Sequence, residues 1–75
     1  MRIQDFFQEA EELAATLHSE EYKRRAYNVI RTAENKILGS FPAPVKEWPE
    51  QWHEAAIQTA KQHFDFYGVE YPEGD

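Results

Sequence analysis

Prolines decide where this chain can be helical. Three of the four lie between residues 42 and 49, and the fourth is Pro72. Proline lacks the amide hydrogen that a helix interior needs, and it pushes the preceding residue towards extended backbone. Residues 1–41 and 50–71 are therefore open to helix, and 42–49 is not. Pro42-Ala43-Pro44 reads as a stiff extended strut. Pro49 stands where the first turn of a helix accepts proline, with Glu50 on the side the helix dipole favours.

Periodicity divides the first part. At about 100° per residue, Ile3, Phe6, Phe7, Ala10, Leu13, Ala14 and Leu17 share one face. Asp5, Gln8, Glu9, Glu12 and Thr16 share an adjoining one. Tyr22, Ala26, Val29, Ile30, Ala33 and Ile37 form a second stripe, rotated by about 150° from the first. One straight helix from Ile3 to Leu38, with no glycine or proline inside it, would send the two stripes to opposite sides and need two partners. A break at His18-Ser19 removes the conflict, because Ser19 is a good N-cap and Glu20 and Glu21 suit a first turn. Gly39 is expected to stop the second helix in a left-handed conformation.

The third helix is expected from about Pro49 to Tyr67, with Gly68 as its stop. Trp52, Ala55, Ala56, Ile57, Ala60, His63, Phe64, Phe66 and Tyr67 cover more than half its circumference. A helix on the surface of a globule needs an apolar stripe only a little over 100° wide. The excess predicts two neighbours, or one neighbour and a partner chain. Residues 69–75 read as an acidic tail that frays, unless Val69 and Tyr71 fold back on the core.

Size and charge narrow the function. A chain of 75 residues makes one domain, and a core of that size supplies only about 3–5 kcal/mol. Cysteine is absent, so no disulfide adds to it. Aromatic residues, 15% of the chain, supply apolar area instead, and self-association is the other expected support. The net charge of −6 opposes general binding to phosphate backbones and favours solubility. No run approaches the roughly 20 apolar residues of a membrane span, and Met-Arg-Ile-Gln-Asp-Phe-Phe lacks a signal-peptide core. The cytoplasm is the expected location.

Several residue sets are candidates for chemistry, each beside a plainer role. Arg24, Asn28, Arg31 and Asn35 line one side of the second helix, and Arg and Asn are the side chains that read base edges. The plainer role is a solvated face whose arginines pair with Glu11, Glu12 or Glu20. Glu50 and His53 have the i, i+3 spacing of half a carboxylate-bridged metal site, with Glu54 beside them. Such a motif is short and arises often by chance. Glu9-x-x-Glu12 and Glu47-x-x-Glu50 have the spacing of paired magnesium-binding carboxylates, but Pro49 splits the second pair. His63, mid-arc on the third helix, reads as a hydrogen-bonded core residue. Glu9 and Glu12 also belong to an acidic face able to imitate a phosphate array. Trp48, Trp52 and Phe41 are the large side chains best suited to a binding hot spot. Trp48, ahead of a proline and outside the helix, is the one expected to be exposed.

The expected fold is all-α: a three-helix bundle made of an antiparallel hairpin, a proline-rich extended connection and a third packing helix over 1–68, dimeric in solution. The expected function is that of a small acidic regulator or inhibitor that binds another protein, of the kind phages and mobile elements carry. No cofactor is expected. Nucleic-acid binding through the second helix, or blocking of a DNA-binding protein by mimicry, is the alternative. A metal-dependent enzyme assembled across a dimer is a third reading.

Overall fold

The computed structural model describes residues 1–72. It holds three α-helices: α1 (Ile3–Ala15), α2 (Glu20–Leu38) and α3 (Glu50–Tyr67). There is no strand among the described residues, and no helix is long and apolar enough to cross a membrane. The break falls at residues 16–19, where the phase of the apolar stripes requires it. Ser19 is extended (φ −90°, ψ 127°), and its hydroxyl accepts the Tyr22 N–H at 3.4 Å. Glu20 and Glu21 occupy the first turn of α2 and Lys36 the last, each on its favoured end of the dipole.

The two glycine stops differ. Gly68 is left-handed (φ 70°), and beyond it the Val69 N–H reaches back to the Phe64 carbonyl at 2.9 Å. Gly39 stays right-handed (φ −78°, ψ −10°), contrary to expectation. A Cβ there would lie 3.0 Å from the Asn35 carbonyl oxygen, a tight contact that a larger residue could make only if the backbone gave slightly. After it, the connection bends at residues 41–43, runs extended at Pro44 (φ −60°, ψ 148°) and makes one 3-10 turn, Val45–Glu47. Pro49 then precedes α3 as its N-cap, with its carbonyl accepting the Trp52 N–H at 3.0 Å.

The helices run alternately. The start of α1 meets the start of α3, where Ile3 contacts His53. The end of α1 (Leu13, Leu17), the start of α2 (Tyr22, Ala26) and the end of α3 (Tyr67, Val69) share the other end. The core between them is aromatic. Phe6 and Phe64 are fully buried, with rings stacked at 5.8 Å, and Phe7 meets Phe64 edge-on at 6.3 Å. Each such ring contributes about 1.5–3 kcal/mol by leaving water, and offset or edge contacts add to that. Small residues, Ala10, Ala26, Ala33, Ala56 and Ala60, let the helix backbones approach.

Tyr22 and the tail depart from the expected pattern. Tyr22, assigned by period to the buried stripe of α2, is 63% exposed, at the edge of the cleft that Leu13 and Leu17 also line. The tail is docked in its first part: Val69 and Tyr71 pack against the core, and the Tyr71 hydroxyl donates to Asp65 Oδ2 at 3.4 Å. The remainder of the expected acidic tail, 73–75, lies outside the described residues.

Candidate functional site

Trp48 is buried, at 7% exposure, and not presented to a partner. The 3-10 turn folds the indole back over its own connection, and Nε1–H donates to the Ala43 carbonyl at 2.7 Å. Phe41 closes on one side at 4.2 Å and His53 on another at 5.3 Å, while Trp52, half-buried, lies 6.2 Å away and 5.5 Å from Phe41. A tryptophan has one polar atom, and here it is satisfied internally. Phe41, Trp48 and Trp52 thus form one cluster that ties the connection to the start of α3, and only the flanks of Phe41 and Trp52 reach solvent.

Behind that cluster lies a contact that periodicity did not reveal. The Ile3 N–H, an unpaired donor at the start of α1, donates to Nδ1 of His53 at 3.1 Å. Arg2, the N-cap residue, offers no side-chain bond of its own. A histidine on α3 therefore caps α1 across the bundle, in a site where both residues are buried. The bond needs a lone pair on Nδ1, so the proton of the neutral ring sits on Nε2. His53 is thereby committed to structure. Glu50 and Glu54 point to solvent, and no three His, Asp or Glu side chains converge on a metal-sized site among the described residues. The structure does not assemble Glu50, His53 and Glu54 into a ligand set.

The charged candidates keep to the surface. Glu9 and Glu12 are exposed on α1, and Arg24, Asn28, Arg31 and Asn35 are exposed along α2. The arginines do not pair with Glu11, Glu12 or Glu20 as the plainer reading required. The one ion pair among the described residues is Lys23 with Glu20 at 3.5 Å. On the seam between α1 and α2, burial and then the negative charge of Glu11 raise the pKa of Glu34, while Arg31 lowers it by less.

The unexplained apolar surface is on α3. Phe66 is 82% exposed and Tyr67 42% exposed. Phe66 borders a shallow groove of about 340 Å³ between α2 and α3, with Ile37, Lys36, Thr59 and His63 along it. His63 is half-buried, and its Nε2 is buried with no hydrogen-bond partner among the described residues, so it is not the satisfied core residue expected. Such an orphan costs about 1–3 kcal/mol. The over-wide arc of α3 was the sequence signal for this surface. One side of the arc is buried, through Ala56, Ile57, Ala60 and Phe64, and the other is left open. A second concavity, about 270 Å³, lies at the end of the bundle where Leu13, Leu17, Tyr22, Arg25, Tyr67 and Val69 meet.

The chain matches no protein-family model, no curated protein and no solved structure.

Proposed function

We propose that this chain is a small acidic regulator, without catalytic activity, that acts in the cytoplasm by binding another protein. The observation that carries the reading is Phe66. Phe66, 82% exposed, and Tyr67, 42% exposed, form with the shallow groove beside them an apolar surface of α3 that a partner would take out of water. The groove side of α2 supplies Lys36 beside Ile37, so an apolar partner surface with a carboxylate placed to meet Lys36 complements it. Neither Phe41 nor Trp52 offers comparable area, because each is half-buried in the Trp48 cluster.

The test compares wild-type protein and Phe66→Asp as immobilised baits in extract of the source cell. Retention of a defined protein by wild type, and its loss with Phe66→Asp at unchanged thermal stability, supports the reading. Equal retention by both baits overturns it. Light scattering on the same samples separates the rival occupant, a second copy of this chain, by a mass that doubles in wild type alone. A second reading, nucleic-acid binding through α2, draws on the exposure of Arg24, Asn28, Arg31 and Asn35 and on their lack of ion pairs. Salt-sensitive retention on DNA that disappears in an Arg24→Ala, Arg31→Ala double variant would favour it.

A further inference from the structure

The cleft at the end of the bundle has the construction of a small-ligand site. Its floor is apolar: Leu13 lines it, and Ala14, Leu17, Ala26 and Val69 make it continuous with the core. Helices α1, α2 and α3 all contribute to it, yet none closes it, because α1 ends at Ala15 and Gly68 turns the chain away. The rim is polar, with Tyr22, Arg25, Tyr67 and Glu70. Binding sites for small molecules are concave and mostly apolar, with a few convergent polar groups. A cavity of about 150 Å³ accepts a benzene ring. The 270 Å³ here leaves room for a ring and a short arm.

Arg25 sets the chemistry of that arm. Its Nη2 donates to the Tyr67 carbonyl at 3.4 Å, a long bond that holds the side chain against the end of α3. No carboxylate forms an ion pair with it among the described residues, although Glu70 lines the same cleft. The remaining guanidinium donors are free for a planar anion, which a guanidinium binds through two parallel hydrogen bonds. The hydroxyls of Tyr22 and Tyr67 are further donors at the rim.

We infer that this cleft binds a small apolar carboxylic acid, its ring or short alkyl chain on the Leu13–Leu17–Val69 floor and its carboxylate on Arg25. The site is separate from the Phe66 groove and stands whether or not that groove receives a partner. Tyr67 borders both.

The probe is 3-phenylpropionate, titrated into isotope-labelled full-length protein and followed by amide chemical shifts, with its primary amide and phenethylamine as controls. The expected result is saturable shifts confined to residues 13–17, 22–26 and 67–70. Arg25 is exposed, so Arg25→Gln is expected to keep the wild-type amide spectrum away from the cleft and to weaken binding by about tenfold or more. The amide is expected to bind correspondingly weakly and the amine not at all. Shifts that fail to saturate, or that scatter over the surface, overturn the inference. Equal binding of acid and amide does so too, since the guanidinium would then play no part. Tighter binding of the amine would assign recognition to Glu70 and overturn it equally.

Discussion

The two ends of the bundle are built from similar residues and used differently. At one end Ile3, Phe41, Trp48, Trp52 and His53 close on each other, and two donors there are paired internally: the indole N–H on the Ala43 carbonyl and the Ile3 N–H on His53. At the other, Leu13, Leu17, Tyr22, Tyr67 and Val69 surround a space they do not fill. The difference does not lie in aromatic content. The closed end has a proline-bounded connection that folds back over the core, whereas three helix termini simply diverge at the open end. Aromatic density alone is therefore a poor guide to a binding surface. The richest cluster in this chain is occupied with holding the chain together.

Truncating one ring at each end should separate the two ends most clearly. Trp48→Ala is expected to cost about 3–5 kcal/mol, comparable with the whole stability of so small a domain, and to leave it largely unfolded in urea titrations followed by circular dichroism. Tyr22→Ala at the open end should stay within about 0.5 kcal/mol of wild type. Comparable losses at the two sites would mean that the open end is as structural as the closed one.

A smaller effect sharpens the account of the closed end. His53→Leu keeps the volume but leaves the buried Ile3 N–H without an acceptor, which should cost about 1–3 kcal/mol. Hydrogen exchange at the first turn of α1 should accelerate more than elsewhere. Unchanged protection there would show that the imidazole is packing and not a cap.

The smallest effect belongs to the seam between the ends. The folded-state pKa of Glu34 is raised, mainly by burial and then by Glu11, so its ionised form disfavours the folded state. Below the ordinary value of 4.5 the group is protonated whether folded or unfolded and carries no penalty; as pH rises through the raised value, stability is lost. Glu34→Gln should therefore melt higher than wild type at pH 7, with the difference gone near pH 3, as differential scanning calorimetry would show. The opposite order at pH 7 would mean that the attraction of Arg31 outweighs burial.

What the sequence made legible was local. The position of the break between α1 and α2 follows from stripe phase, and the Ser19 cap and the Gly68 stop follow from the conformations those residues favour. What it hid was long-range. A helical wheel sets His53 at the margin of the apolar arc of α3, and nothing near it in sequence announces an unpaired amide at Ile3. Trp48 looked exposed because Pro49 excludes it from the helix, while its burial depends on a turn that returns it to Ala43. Arg25 sat among basic neighbours that all looked solvated, and only the meeting of three helix termini gives it a cleft to face. Of the residues expected to meet a partner, Glu9, Glu12, Phe41 and Trp52 keep some access to solvent, but Phe66, 82% exposed, was visible only as surplus width of an arc.

The bond from Ile3 to His53, spanning 50 positions, also governs how the molecule is made. The first helix leaves the ribosome long before the residue that caps it, and before Phe64, on which Phe6 stacks, has been added. The hairpin of α1 and α2 must emerge with Ile3, Phe6 and Phe7 uncovered, and the fold closes only once α3 has followed them. A nascent chain that stalls in the proline-rich connection is thus a sticky, unfinished hairpin, well suited to capture by chaperones and proteases.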